Sequence, residues 1–287
     1  MKIEKSVLYC FYKASDFEKG ELRLFICPVC GKALKESEKF FICPDSHLFD
    51  KAKKGYVNLL LGRDGSLHGD SKTMALARFE IMESGLYSPL KDSIVSALAS
   101  HLSEPELILD CGCGECYYTS AVAEEFENAE ILGTDISKDI LSVANRRLGR
   151  IKRAVASSFS LPVKDESVDA LLNIFSPFVS SEFLRVLKPG GLLLMAIPLE
   201  EHLWEMKKAV YEKPYKNEPK PTKLNGFTLT DEKEISYKRE VENPLLTRLF
   251  EMTPYFIKTS KEDIEKLKKI SALPLTFSFK ILLYKKG

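Results

Sequence analysis

Four residues limit what the first sixty positions of this chain can fold into: Cys27, Cys30, Cys43 and His47, spaced C-x2-C…C-x3-H. Residues 21–62 around them are a stretch of about forty residues, too short to build much of a core unaided, so a bound metal is the natural cross-link. Structural zinc takes four thiolate or imidazole ligands in a tetrahedron. The C-x2-C turn sets two thiolates side by side, with Pro28 and Gly31 forming the knuckle. The gap from Cys30 to Cys43 suits a short β-hairpin, with a polar turn over Lys32–Lys39 and a returning strand at Phe40-Phe41-Ile42. An iron–sulfur cluster fits less well, because such clusters usually take four cysteines. Cys10 has no partner at ligand spacing.

Length allows one large domain or two unequal ones in 287 residues. The formal net charge of +1 neither indicates nor excludes nucleic-acid binding, since a basic stripe can hide in a balanced sum. Two such stripes occur: Arg146, Arg147, Arg150, Lys152 and Arg153, and Lys51, Lys53 and Lys54. The second, beside the metal ligands, is the better candidate for a phosphate-facing surface. No apolar run reaches the roughly 18 residues of a membrane span, so no membrane association is expected. The N-terminus shows no secretory pattern. Seven cysteines in such a chain read as metal and loop positions rather than disulfides, which places the protein in the cytoplasm.

Beyond a Gly/Ser-rich loop at 62–69, the pattern predicts a helix from Asp70 or Ser71 to Gly85 and another over Ser88–Leu102. Strands and helices then alternate. Strands are predicted at Leu107–Leu109, Glu130–Thr134, Ala154–Ser157, Val168–Ile174 and Leu192–Pro198. Helices are predicted through Ala121 to Phe126, over Lys138–Arg147 and over Glu182–Leu187. This alternation implies an α/β fold with a parallel sheet covered on both faces. A turn at Lys188-Pro189-Gly190-Gly191, a proline-bearing loop over 213–225 and a last strand at Phe277–Tyr284 complete the reading.

The turn Asp110-x-Gly112-x-Gly114 follows a buried strand and opens a helix. Gly112 permits the sharp turn and Gly114 lets a ligand approach the backbone, at a helix N-terminus rich in free N–H groups. Asp135, ending the next strand, can accept both hydroxyls of a ribose. Cys116 occupies the third glycine position of a dinucleotide loop, so an adenosine with a compact amino-acid tail fits better than a pyrophosphate. Ser157 and Ser158 either cap a turn or line an adenine pocket, and Asn173 and Pro177 lie where methyl acceptors often sit in this fold.

These motifs, with Leu187-Lys188-Pro189-Gly190-Gly191, resemble class I S-adenosylmethionine (SAM)-dependent methyltransferases. The ordered set runs on through Cys27-Pro28-x-Cys30, Cys43-Pro44-x-x-His47, Lys54-Gly55-Tyr56-Val57-Asn58, Gly69-Asp70-Ser71, Gly85-x-Tyr87-x-Pro89, Asn173-Ile174-Phe175-Ser176-Pro177 and Pro198-x-x-x-His202. It resembles, more narrowly, the RlmA-type 23S rRNA (guanine-N1)-methyltransferases. The resemblance implies a Rossmann-like class I methyltransferase core with a small N-terminal zinc-binding β-hairpin domain. It implies Zn2+ on Cys27, Cys30, Cys43 and His47, and SAM contacts from Tyr87, Gly114, Glu115 and His202. With the residues read above, the candidate cofactor set is Tyr87, Asp110, Gly112, Gly114, Glu115, Asp135, Ser158 and His202. Cys116 and Cys111 depart from the family pattern, and residues 1–24 lie outside it.

The expected organisation is an N-terminal extension (1–20), a zinc-binding RNA-recognition module (21–62), linker helices (63–104) and a methyltransferase domain (105–287). The expected activity is methyl transfer to N1 of a guanine in a 23S rRNA hairpin, and a homodimer is compatible with it. No residue identifies itself as the base for the N1 proton. Two other readings stay open: a small-molecule methyltransferase with an accessory zinc module, and an RNA-binding module whose cofactor loop has decayed through Cys116.

Overall fold

The computed structural model describes residues 24–62, 69–144, 150–219 and 221–287. The expected extension over 1–20, Cys10, His68, Arg146 and Arg147 lie outside the described residues.

The metal segment forms a three-stranded antiparallel sheet of β1 (Lys35–Glu36), β2 (Phe40–Ile42) and β3 (Leu48–Asp50), ordered β1-β2-β3. The chain then enters a second sheet through β4 (Tyr56–Asn58). Two helices follow, α1 (Lys72–Glu83) and α2 (Ser88–Ala99). Ser71, rather than Asp70, caps α1, accepting a hydrogen bond from the Met74 N–H. The core continues as β5 (Leu107–Cys111), α3 (Tyr117–Glu125), β6 (Glu130–Asp135), α4 (Lys138–Val143), β7 (Lys152–Val155), β8 (Val168–Ile174), α5 (Ser180–Val186) and β9 (Leu187–Pro198). After α6 (Trp204–Val210) come β10 (Phe227–Glu242), α7 (Leu245–Glu251), α8 (Lys261–Lys268) and β11 (Ala272–Lys286).

The large sheet has eight strands in the order β10-β11-β9-β8-β5-β6-β7-β4. Its middle is parallel, as the alternating pattern requires, and β5 is buried along its whole length. At one edge the sheet becomes mixed: β11 runs antiparallel to β9 and pairs with β10 in a long hairpin. The sequence reading left residues 226–276 unassigned, because β10 carries charges at half of its positions and is exposed along much of its length. Those charges suit an edge strand, whose unpaired backbone would otherwise recruit another chain. The expected turn at Lys188–Gly191 lies within β9, where the register against β8 shifts between Val168 and Ala170.

At the opposite edge β4 pairs in parallel with β7, so Tyr56–Asn58 belongs to the large sheet although the sequence places it in the metal module. Three further contacts tie module to core: Ile26 N–H donates to the Pro162 carbonyl (2.9 Å), Leu59 N–H to the Val155 carbonyl (3.0 Å), and Arg153 Nη2 to the Lys54 carbonyl (2.7 Å). Phe25, Leu34, Phe41 and Val57 pack into one apolar cluster with Leu109, Leu132 and Ala154 of the core. Module and sheet therefore share a core.

Candidate functional site

The metal ligands come together as their spacing demands. One ligand atom from each of Cys27, Cys30, Cys43 and His47 lies within 4.8 Å of all the others. Cys30 Sγ and Cys43 Sγ are 3.7 Å apart, and His47 Nδ1 lies 3.5 Å from Cys27 Sγ and 3.3 Å from Cys43 Sγ. A tetrahedron with normal Zn–S and Zn–N bonds has edges of about 3.8 Å between sulfurs and about 3.5 Å from sulfur to nitrogen. The four side chains thus have the chemistry and edge lengths of a structural zinc site. The His47 backbone N–H donates to Cys43 Sγ (3.3 Å), which fits a thiolate carrying negative charge. Cys111, Cys113 and Cys116 form no such group among the described residues.

The second site lies where the strand order reverses. From β5 the chain winds through β6 to β7 on one side, and β8 and β9 lie on the other, so a crevice opens at the carboxyl ends of β5 and β8. A cavity of about 330 Å3 occupies it. Its walls are the turn Asp110–Glu115, Thr134–Ile136 after β6, Ala156–Phe159 after β7 and Ile174–Pro177 after β8. Gly69, Asp70, Arg78 and Met82 close it from α1 and the segment before it, with Tyr118 and Ile140 from α3 and α4.

Gly112 has φ +89°, and a Cβ there would lie 2.4 Å from Cβ of Ser176, so only glycine lets the loop pass the end of β8. Cys116 adopts φ +65°, the left-handed conformation that its position as a replaced glycine demands. Phe175, also on the cavity wall, has φ +56°. Strained non-glycine residues are held where packing over-determines them, commonly at ligand sites.

Asp110 is buried, and its Oδ2 accepts a 2.6 Å hydrogen bond from Thr119 Oγ1 on α3. Its Oδ1 is buried without a partner, as is the Tyr118 hydroxyl. Both residues line the cavity. Burial pushes the Asp110 carboxyl up to about 7; the Thr119 hydrogen bond opposes this, and the charges of Asp135 and Glu115 add to it. An unpaired carboxylate oxygen in such a cavity calls for a cationic donor. The ammonium of SAM is a donor of that kind, so the residues present fit this cofactor.

Asp135 ties the turns together: Oδ2 accepts from the Gly114 N–H (3.0 Å) and Oδ1 from the Ser137 N–H (2.8 Å). Burial raises its pKa while those two N–H groups lower it. Each carboxylate oxygen retains acceptor capacity for a ribose hydroxyl. Ser157 and Ser158 both line the cavity, and Ser157 Oγ also accepts from the Phe159 N–H (3.2 Å). The Asn173 side-chain amide donates to Ser176 Oγ and to the Pro177 carbonyl, and Ser176 Oγ donates to the Cys111 carbonyl (2.6 Å), fixing the loop after β8.

Six of the eight candidate cofactor residues therefore line one cavity: Asp110, Gly112, Gly114, Glu115, Asp135 and Ser158. Tyr87 and His202 stand behind its wall. Their rings pack with Phe277 and Phe279, and Phe279 in turn meets Phe175 at 5.7 Å. Burial pushes His202 down to about 3, with the Lys207 charge adding to the effect, so the ring is neutral and its Nδ1 accepts from the Ser278 N–H. Sequence reasoning missed Arg78, Thr119 and Tyr118 as parts of this site. Arg78 carried a signal in its place on the apolar face of a predicted helix, where a charge needs a partner.

The expected basic stripe at 146–153 is corrected where it is described. Arg150 donates to the carbonyls of Ala129, Ala123 and Phe126 at the end of α3. Arg153 is buried, spanning the Leu141 and Lys54 carbonyls. Lys152 faces Glu36 and Glu130. In the other stripe Lys51 pairs with Glu36, whereas Lys53 and Lys54 are exposed.

Two family models match the chain: "RlmA, N-terminal", a zinc ribbon, over residues 25–61, and "Methyltransferase domain" over residues 108–191. The 23S rRNA (guanine(748)-N(1))-methyltransferase of Streptomyces fradiae is 37% identical over 191 residues, which cover 66% of this chain and 68% of the relative. A provisionally named 23S rRNA (guanine-N(1))-methyltransferase of Micromonospora griseorubida is 36% identical over 199 residues, covering 63% and 67%. Another, from Bacillus subtilis (strain 168), is 29% identical over 275 residues, covering 92% of this chain and 97% of the relative. With the thiolate–imidazole ribbon and the cofactor crevice both in place, the chain belongs to the RlmA-type family of 23S rRNA (guanine-N1)-methyltransferases.

Proposed function

We propose that this protein transfers a methyl group from SAM to N1 of a guanine in 23S rRNA, and that the zinc ribbon forms part of the surface that meets the RNA. The observation that carries the reading is the joining of ribbon and crevice in one chain, matched over most of its length by relatives that bear this activity in their names. A free-standing small-molecule enzyme has no evident use for the ribbon.

When bound, SAM supplies an electrophilic methyl carbon on a sulfonium centre. The chain's own groups bind and orient it. Asp110 Oδ1 would receive the ammonium of the methionine portion, Asp135 would take ribose hydroxyls, and Ile136, Ser157 and Ser158, which line the same cavity, would border the adenine. The Gly112–Gly114 turn lets the sulfur end approach the backbone. Tyr87 and His202 support the far wall through Phe175 and Phe279.

The acceptor enters beside Phe175-Ser176-Pro177 at the end of β8. Phe159, at the cavity edge, is 67% exposed, an unusual position for a phenyl ring with no macromolecular partner. An unstacked base can lie on such a ring, as bases taken out of RNA commonly do. Lys53 and Lys54, exposed in the turn between β3 and β4, suit the flanking phosphates. Enclosure would hold N1 in line with the methyl donor and keep bulk water out; as the N1–methyl bond forms, the methyl–sulfur bond breaks and the N1 proton is released.

The test is transfer of labelled methyl from SAM to 23S rRNA lacking the modification, followed by primer extension. A methyl on N1 blocks the Watson–Crick edge, so reverse transcription stops one nucleotide short of the modified guanine. Label entering a small-molecule pool but never RNA would sink the proposal.

A further inference from the structure

Arg78 is the one cation among the described residues that line the cavity, in the company of four carboxylates: Asp70, Asp110, Glu115 and Asp135. Its stem lies across the cofactor loop, since a Cβ placed on Gly114 would sit 3.9 Å from Cδ of Arg78. The guanidinium is fixed at two points: Nε donates to Asp70 Oδ2 (2.8 Å) and Nη2 to the Met252 carbonyl (3.3 Å). Asp70 is itself anchored, its backbone carbonyl accepting from Ser137 Oγ at 2.6 Å. Arginine carries five N–H donors, so these contacts leave part of the fork available to a ligand. The group is preset before any ligand arrives.

The charge pattern of the donor has to be matched inside this cavity. SAM carries two cations, sulfonium and ammonium, and one carboxylate. The acidic lining answers the cations, but a carboxylate placed among four others would be repelled unless a fixed cation received it. We propose that Arg78 binds the α-carboxylate of the methionine portion of SAM, while the Asp110 oxygen takes its ammonium. The assignment rests on the cofactor reading given above and adds to it the group that separates an amino-acid-bearing adenosyl sulfonium from an amine-bearing one.

The test compares two ligands by calorimetric titration of the full zinc-loaded chain: SAM, and decarboxylated SAM, which keeps the sulfonium, the adenosine and the amine. The wild-type protein is expected to prefer the intact donor by about tenfold to hundredfold, the range of a charge-assisted contact. Arg78→Met is expected to lose that preference through weaker binding of SAM, while its affinity for the decarboxylated ligand stays within about threefold of wild type. Arg78→Lys keeps charge and stem but loses the fork, and is expected to show an intermediate preference; it carries the test if Arg78→Met does not fold. Unchanged discrimination in the folded Arg78 variants would overturn the assignment and leave the cofactor reading intact, as would a wild-type protein that binds both ligands equally. A wild-type protein that binds neither ligand would overturn both.

Discussion

A single carboxyl gives the site its chemical character. Asp110, on the cavity wall, has one oxygen held by Thr119 and the other buried without a partner. Its value of about 7 stands above the ordinary 3.8, so the folded chain holds this proton more tightly than the unfolded chain does. The resulting stabilisation is fully present below about pH 4 and is lost as pH rises through about 7, and Asp135, also shifted upward, acts in the same direction. Cofactor binding runs the other way, because an ammonium needs the ionised form. SAM affinity is therefore expected to rise between about pH 6 and about pH 8, and Asp110→Asn to remove both that rise and most of the affinity, as calorimetry at the two pH values would show. Tyr118→Phe deletes a buried hydroxyl with no partner. It is expected to raise ligand-free stability by about 1 kcal/mol in urea unfolding, since an unsatisfied donor is expensive to bury. Asp110, Gly112, Gly114 and Asp135 were legible in the sequence because a tight strand–turn–helix loop imposes its residue types locally. Arg78 and Thr119 were not, because their roles depend on contacts made only in the fold: Arg78 reaches Met252, 174 positions away.

Among the elements, legibility followed burial. The limits of β8 match the predicted Val168–Ile174, an apolar run with no competing pattern. The edge hairpin escaped because the apolar residues of β10 are sparse, with Ile235, Tyr237 and Val241 set among Lys, Glu and Arg, and a register shift after Leu229 breaks the alternation. Part of the basic stripe misled for a related reason: charge in a sequence does not say whether a guanidinium meets solvent or a row of carbonyls. Arg153 holds the Leu141 and Lys54 carbonyls from a buried position. Arg153→Met would leave both carbonyls without that donor, and is expected to destabilise the chain by about 3 kcal/mol, read as a lower urea midpoint with an unchanged slope. Lys53 and Lys54 make the contrasting case. Changing both to Glu is expected to leave stability within about 0.5 kcal/mol, while weakening rRNA binding and flattening its dependence on salt.

For the molecule as a whole, the shared apolar cluster makes the zinc ribbon part of the fold rather than an appendage. Phe25, Phe41 and Val57 lie against Leu109, Leu132 and Ala154. Chelating the metal is therefore expected to lower the thermal midpoint of the entire chain in one cooperative transition. Two separate transitions, with the core melting as before, would show that the ribbon is energetically independent. The sequence announced the ribbon through its ligand spacing, but could not show that Tyr56–Asn58 leaves it to pair with β7.

That pairing also bears on how a target is brought to the methyl donor. Strand β7 carries the ribbon on one flank through β4 and runs on into the Ala156–Phe159 wall of the crevice. On the proposed reading, the part that would meet the nucleic acid and the part that would alkylate it are therefore joined through one sheet and one apolar cluster. With ribbon and crevice held to one another in this way, the bending and unpairing needed to deliver a guanine would fall to the RNA. Hairpins that deform easily will then be preferred over rigid duplexes of identical sequence.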